Sequence, residues 1–194
     1  MHIQKTGGSS VSKHLLGANI NAYWFLAKHA TALDAKERLA NDYQEYFTFA
    51  FVRNPWDRLV SWYNMIRIQG PKDPTNRFWS YILSHSSCFE EFIKNCTETV
   101  FQHDSGKSIM RNQIDYMSDS KSNIIVDEIG RFETLTEDLH RILNRLLIPF
   151  DSLPVENALP HAHYSTYYTD ETREIVATRF KRDIEYFGYR YEAC

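Results

Sequence analysis

Two short segments combine residue types that bind anions, and each resembles a junction between a strand and a helix. The first, residues 3–10, holds a lysine, two glycines and three hydroxyl side chains. The second, residues 51–61, holds Arg53 at the end of an apolar run and Ser61 further along. A ligand with two separate anionic groups would suit this pair of segments, because each supplies cationic or hydrogen-bond donating groups.

The first segment has the chemistry of a phosphate-binding loop. Gly7 and Gly8 allow backbone conformations that other residues avoid, and a helix opening at about Ser9 would point its first N–H groups at an anion. In the nucleotide-triphosphatase loop, lysine and then serine or threonine directly follow the last glycine. Here Lys5 precedes the glycines. A plain glycine turn that caps a helix is the alternative, and this loop taken alone does not decide between the two.

The second segment predicts a buried strand followed by a long helix. Residues 47–52 alternate and are rich in aromatic and branched side chains, which is typical of a strand. Asn54 is a good N-cap, Pro55 suits the first helical position and Asp57 lies in the acid-favouring first turn. Arg53 then stands at the carboxyl end of the strand, where open α/β sheets bind ligands. A local ion pair between Arg53 and Asp57 is the structural alternative.

The pair of segments resembles the sulfotransferases that use 3'-phosphoadenosine 5'-phosphosulfate. The similarity is greatest to the branch that includes the carbohydrate 2-O- and 6-O-sulfotransferases and many bacterial relatives. Residues 5–10 are similar to the 5'-phosphosulfate loop of that family, and residues 53–63 to its 3'-phosphate motif. Further similarity in residues 130–133 and 167–189 extends the resemblance over nearly the whole chain.

The resemblance implies a role for each candidate residue. Lys5 contacts the sulfate-bridging oxygen and neutralises charge on the leaving phosphate, while Arg53 and Ser61 hold the 3'-phosphate. In residues 154–168, family members have a loop that covers the donor. Tyr164 and Ser165 could there stack on adenine or touch phosphate. Alternatively, they belong to a lid that makes no contact with the donor. The scheme requires no metal. The resemblance also implies that the 5'-phosphate is bound by Thr6, Gly7, Gly8, Ser9 and Ser10.

The reaction also needs a general base, because the acceptor hydroxyl loses its proton as it attacks sulfur. His29 follows a predicted strand and lies between the two donor motifs, as the presumed catalytic histidine of the carbohydrate sulfotransferases does. A capping or surface histidine is the alternative. His2, close to Lys5, is a second candidate, although its place on the first strand favours a packed histidine. His161 and His163 lie in the segment over the donor.

The order of elements predicts an α/β fold. Strands alternate with helices, which favours one domain over residues 1–194 with a mostly parallel sheet, helices on both faces and a relation to the P-loop nucleotide kinases. We expect residues 70–113 to set acceptor specificity. Further strands are predicted near 23–26 and over 123–129, and further helices over 9–16, 33–41, 89–96, 134–147 with a Thr134–Glu137 capping box, and 169–180.

Charge and composition limit the other function classes. A formal net charge of −3 argues against broad nucleic-acid binding. No stretch is long and apolar enough to span a membrane, and no signal peptide is visible. We expect a cytoplasmic protein if the chain is bacterial and complete, and the Golgi lumen if it is a fragment of a longer eukaryotic chain. Free thiols are the simplest state of Cys88, Cys96 and Cys194, although Cys88 and Cys96 could pair.

Three functions remain open on the sequence. The first is transfer of a sulfuryl group to a hydroxyl acceptor, which the family branch favours as a carbohydrate. The second is a small-molecule or nucleotide kinase, since the fold and phosphate loop are related, although the position of Lys5 argues against it. The third is an inactive relative that binds nucleotide without turnover. The sequence indicates neither the acceptor nor the oligomeric state.

Overall fold

The structure, a computed structural model, describes residues 1–17, 26–97, 109, 111–153 and 162–193. The chain divides into two units, of which unit 1 comprises Met1–Arg53 and Gln113–Ala158, and unit 2 comprises Asn54–Asn112 and Leu159–Cys194. That both units form one domain over residues 1–194 stays a prediction.

The described elements are mostly helices, with two short strands among them. In order, the elements are α1 (Gly8–Gly17), α2 (Ala32–Leu39), β1 (Phe49–Val52), α3 (Pro55–Gln69), α4 (Arg77–His85), α5 (Phe89–Glu91), β2 (Glu128–Arg131), α6 (Leu135–Arg145), α7 (Asp170–Arg179) and α8 (Lys181–Phe187). A π-helical turn, Phe92–Cys96, continues α5, and 3-10 turns lie at Ala40–Glu45, Gly70–Lys72, Gln113–Tyr116 and Tyr164–Tyr167.

The sheet of unit 1 is a parallel pair. β1 and β2 align so that Phe49 lies opposite Glu128 and Val52 opposite Arg131. Gly130 permits this close pairing, because a Cβ there would lie 2.4 Å from the Phe51 ring. The pairing agrees with the parallel sheet expected from the sequence, while the larger sheet with helices on both faces stays a prediction.

One apolar core of unit 1 joins α1, β1 and α6. Leu139, Ile142 and Leu143 recur at helical spacing on α6 and are fully buried with Phe51 of β1 and Val11 of α1. Their spacing gives α6 a single apolar face. The first turn of α1 and the carboxyl end of β1, which carry the two predicted motifs, therefore belong to elements that share a core.

Unit 2 is organised around α3. Leu59, Val60 and Ile66 of α3 are buried in an apolar cluster with Ile82 of α4 and Val176 of α7. At the start of α3, the predicted N-cap is confirmed, because the Asn54 carboxamide oxygen accepts from the N–H of Trp56 at 3.0 Å. Within the described residues we find no helix with the length and apolar character of a membrane span.

Two predicted helix caps and the predicted state of the cysteines can be compared with the structure. Thr169 caps α7 as expected, accepting from the N–H of Thr172 at 3.2 Å. The capping box predicted at Thr134 and Glu137 is wrong. Among the described residues, the Thr134 hydroxyl donates to Asp138 at 2.8 Å instead of accepting from the helix backbone. Of the three cysteines, Cys88 and Cys96 are free thiols, as expected, and Cys194 lies outside the described residues.

Several strand and helix bounds also differ from the prediction. The strand expected over 123–129 begins only at Glu128. Before it, Ile124 forms an isolated antiparallel bridge with Ser118 and the N–H of Ile125 donates to the carbonyl of Met117, so these residues do not pair with β1. Residues 1–3, expected to end a first strand, form no strand within the described structure. The strand predicted near 23–26 lies almost wholly outside the described residues.

Gly7 is expected to be required for folding of the loop before α1. Its φ is +81°, and a Cβ there would lie 2.5 Å from Leu135 Cδ2. Gly7→Ala should lower the free energy of unfolding by about 1–3 kcal/mol, because a side chain adds strain and a clash. Denaturant unfolding monitored by circular dichroism measures this loss.

Gly17→Ala, at the end of α1, is the matched control. No described atom lies within 4 Å of a Cβ built at Gly17, so alanine there should be neutral or slightly stabilising. Equal losses in the two variants would contradict the strain assigned to Gly7.

Candidate active site

The loop before α1 has an unusual backbone that its own side chains secure. Lys5 has a φ of +67° and Gly7 a φ of +81°, and a non-glycine residue in this left-handed region costs about 1–2 kcal/mol. Thr6 is 1% exposed, and its hydroxyl donates to the carbonyl of Ile3 at 2.9 Å. The Thr6 side chain therefore holds the loop in shape, which leaves its N–H as the group most suited to an anion.

The loop ends at the first turn of a ten-residue helix. The Gly7 carbonyl accepts from the N–H of Val11 at 3.2 Å, so Gly7 is the residue before the first turn. The N–H groups of Gly8, Ser9 and Ser10 then lie where the helix backbone supplies no acceptor and where the helix dipole favours negative charge. This is the geometry that the sequence predicts for a phosphate-binding loop.

Arg53 lies against the same loop, within unit 1. Its side chain is almost fully buried, and Nη1 donates to the carbonyl of Lys5 at 3.2 Å. The guanidinium lies over the ring of Phe132, 3.9 Å from the ring centroid. Contact with an aromatic face stabilises a cation that has left water. The structure thus brings together Lys5 and Arg53, the two cations that the sequence assigns to different anionic groups of a ligand.

The backbone of Arg53 is held by a side chain that sequence reasoning did not single out. The Arg53 N–H donates to Gln113 Oε1 at 2.9 Å, and Gln113 Nε2 donates to the Arg53 carbonyl at 2.8 Å. Gln113 is fully buried, so it supports the backbone of Arg53. Its position 60 residues along the chain from Arg53 left no local signal of this contact. That residues 70–113 set acceptor specificity stays a prediction.

The proximity of the two cations changes the acidity of Lys5. Burial, with the neighbouring positive charge of Arg53, lowers the pKa of the Lys5 ammonium to about 8. An anion bound beside them would favour the charged form of both groups. Among the described residues we find no group of three or more histidine, cysteine or carboxylate side chains that could hold a metal ion.

His29 adopts a tautomer suited to accepting a proton. Its Nδ1 lies 2.9 Å from the carbonyl oxygen of His2. Because a carbonyl only accepts hydrogen bonds, Nδ1 carries the proton and Nε2 of the neutral ring keeps its lone pair. Burial lowers the pKa of His29 below its usual value, although the hydrogen bond to His2 opposes this shift. His29 is therefore neutral at pH 7, as a general base must be.

His2 lies between the phosphate loop and His29. A Cβ at Gly8 would lie 2.1 Å from the His2 ring, so the absence of a side chain at Gly8 makes room for it. The His2 and His29 rings meet edge to face with centroids 4.8 Å apart. Burial, together with repulsion from His29 when both rings are protonated, lowers the pKa of His2 to about 3. His2 is thus a neutral packing partner of the loop at physiological pH.

The remaining predicted site residues belong to unit 2. Ser61 is half-buried on α3. Tyr164 is 6% exposed, and its hydroxyl accepts from the N–H of Glu192 at 2.6 Å. The hydroxyl of Ser165 lies 2.8 Å from Nδ1 of His163. Tyr164 therefore offers little surface for stacking on adenine, and the action of these residues together with Lys5 and Arg53 stays a prediction. His161 lies outside the described residues.

Comparison with known proteins identifies a family for the chain. A family model described as "Sulfotransferase family" matches residues 1–190, and so covers both units and every candidate residue. Searches of curated proteins and of solved structures found no match. The family match supports sulfuryl transfer in general and an acceptor that carries a hydroxyl group.

The lowered pKa of Lys5 gives a direct test of the site. In protein labelled with ¹³C at the lysine side chains, one NMR resonance should titrate with a midpoint at about 8 and be missing from Lys5→Ala. Below that pH Lys5 is a cation, and above it the charge that an anion needs is lost. Arg53→Ala should raise the midpoint, because Arg53 contributes both positive charge and burial.

Arg141→Ala is the matched control. Arg141 is an exposed arginine of unit 1 that pairs with Glu128 and Asp138, so its loss should leave the Lys5 midpoint unchanged. A Lys5 midpoint near the ordinary 10.5, or one that Arg53→Ala does not move, would contradict this electrostatic account.

Proposed function

Because the chain belongs to the sulfotransferase family, we propose that it transfers the sulfuryl group of 3'-phosphoadenosine 5'-phosphosulfate to a hydroxyl of a carbohydrate. One observation carries the choice of donor. Lys5 and Arg53 meet at the opening of α1, where Arg53 Nη1 donates to the Lys5 carbonyl at 3.2 Å. A donor with a 5'-phosphosulfate and a 3'-phosphate carries two anionic groups, and a lysine and an arginine from adjacent segments suit both of them.

In the proposed complex, the loop and the first turn of α1 bind the 5'-phosphate through their N–H groups. Arg53 binds the 3'-phosphate together with Ser61. The guanidinium has five N–H donors, so Arg53 can serve the Lys5 carbonyl and a phosphate at once. Its contact with Phe132, 3.9 Å from the ring centroid, fixes the plane in which those donors lie.

The proposed reaction uses His29 and Lys5 in complementary roles. His29 Nε2 accepts the proton of the acceptor hydroxyl while the hydroxyl oxygen attacks sulfur. The bond between sulfur and the bridging oxygen breaks, and its electron pair passes to the 5'-phosphate. The Lys5 ammonium stabilises that charge. The products are the sulfated acceptor and 3'-phosphoadenosine 5'-phosphate.

The donor is tested by calorimetric binding of 3'-phosphoadenosine 5'-phosphate, with ADP and ATP plus magnesium under the same conditions. We expect the 3'-phosphate compound to bind most tightly. Arg53→Ala should weaken its binding by about 10- to 100-fold, because a hydrogen-bonded charge is lost. The Arg141→Ala control should bind like the parent. Preference for ATP with magnesium would instead support a kinase.

The base is tested by turnover with radiolabelled donor and a panel of mono- and oligosaccharides. His29→Ala should lower turnover by about 10²–10⁴-fold and leave the affinity for 3'-phosphoadenosine 5'-phosphate nearly unchanged. His140→Ala serves as control, because His140 is exposed on α6 and contacts Asn144. Near-normal turnover in His29→Ala would remove His29 from the mechanism. Nucleotide binding without transfer by the parent to any acceptor would favour an inactive relative.

A further inference from the structure

A single 3-10 turn, Gln113–Tyr116, makes hydrogen bonds to both anion-binding segments of unit 1. We propose that this turn is a positioning element, in which Gln113 sets Arg53 and Tyr116 sets the loop at Lys5 for a ligand with two anionic groups. The inference rests on the proposed donor site. It goes further because it assigns a role to two residues that need not touch the donor.

The pairing of Gln113 with Arg53 is specific to a carboxamide. Gln113 Oε1 accepts from the Arg53 N–H at 2.9 Å, and Gln113 Nε2 donates to the Arg53 carbonyl at 2.8 Å. Asparagine and glutamine are the side chains that combine a carbonyl acceptor with an amide donor in this way. Both backbone groups of the buried Arg53 are thus satisfied by one fully buried side chain.

This pairing begins where the strand ladder ends. The Val52 carbonyl accepts from the N–H of Phe132 at 2.7 Å, on the side of β2. The backbone N–H and C=O groups of successive residues point to opposite edges of a strand. Those of Val52 face β2, so those of Arg53 face away from β2. Gln113 occupies that second edge and fixes the backbone from which the Arg53 side chain extends.

Tyr116 makes the second connection. Its hydroxyl donates to Gln4 Oε1 at 3.0 Å, and both side chains are buried. Gln4 immediately precedes Lys5, whose φ of +67° is left-handed. Gln113 and Tyr116 are three residues apart and lie on the same face of a 3-10 turn. One turn therefore holds both the strand end and the residue that leads into the strained loop.

The end of β1 and the loop before α1 also contact each other directly. Arg53 Nη1 donates to the Lys5 carbonyl at 3.2 Å, so hydrogen bonds and chain connections run from Gln113 through Arg53, Lys5 and Gln4 to Tyr116. A shift of the turn would move the loop and the arginine relative to each other. Misplacement by about 1 Å is enough to degrade a binding site that relies on preorganised groups.

The test compares two ligands that differ only in the 3'-phosphate: 3'-phosphoadenosine 5'-phosphate and adenosine 5'-phosphate. Gln113→Leu removes both hydrogen bonds at similar volume. It should weaken binding of the first ligand on the order of tenfold and of the second by less than about twofold. Tyr116→Phe should weaken the binding of both ligands by a similar factor of about threefold, because the loop binds the 5'-phosphate that they share.

Tyr43→Phe is the matched control for the loss of a buried hydroxyl. Tyr43 is also buried in unit 1, and its hydroxyl donates to the carbonyl of Ile125 at 2.9 Å. The Tyr43→Phe variant should bind both ligands with the affinity of the parent protein, even if its stability falls as much as that of Tyr116→Phe. If Tyr43→Phe and Tyr116→Phe weaken binding equally, the effect is general destabilisation and the proposal for Tyr116 is wrong.

A double-mutant cycle shows whether Gln113 acts through Arg53. In an Arg53→Ala background, Gln113→Leu should change the affinity for 3'-phosphoadenosine 5'-phosphate by less than about twofold. If the double variant instead loses affinity by the product of the two single-variant factors, the proposal is wrong. If Gln113→Leu does not fold, Gln113→Glu replaces it. Glutamate keeps the acceptor for the Arg53 N–H and loses the donor, and a loss confined to the 3'-phosphate ligand is again expected.

The failure of the donor assignment gives a different result. If the parent protein does not prefer 3'-phosphoadenosine 5'-phosphate over adenosine 5'-phosphate, the proposed donor site is wrong. If the parent has this preference and Gln113→Leu or its substitute keeps it, only the positioning role of Gln113 is wrong.

Discussion

The hydrogen bond from Arg53 Nη1 to the Lys5 carbonyl, at 3.2 Å, is the contact on which the candidate site depends. It holds a buried guanidinium beside a second cation, an arrangement that burial and like-charge repulsion both oppose. Phe132 beneath the guanidinium and Gln113 on the backbone offset that cost. The core shared by α1, β1 and α6 keeps the loop and the strand end in place. Packing and polar bonding thus cooperate to present positive charge to a ligand.

Burial has opposite functional consequences for the two candidate catalytic groups. It lowers the pKa of both Lys5 and His29. Lys5 starts from such a high value that it remains a cation at neutral pH, whereas His29 starts near neutrality and becomes a neutral ring. Burial therefore leaves Lys5 charged, as an electrostatic stabiliser must be, and His29 neutral, as a proton acceptor must be. Separate acidic and basic surroundings are not needed.

The parts of the site that were predictable are those encoded by neighbouring residues. Gly7 and Gly8 mark the loop, and Asn54 with Pro55 marks the start of α3, because turn and cap preferences act over a few positions. Contacts between distant segments gave no such signal. Gln113 meets Arg53 across 60 residues. Local competition caused errors too: Asp138 takes the hydroxyl that was expected to cap α6.

The left-handed backbone of Lys5 has an evolutionary consequence. Glycine at this position would relax the loop by about 1–2 kcal/mol, so a sequence under selection for stability alone would not keep lysine there. On the proposed function, lysine at this position is a trade-off in which the fold gives up stability to hold a charged side chain at one place. Descendants released from that demand are expected to drift towards glycine or asparagine at position 5, and such a change would mark the loss of function in a relative.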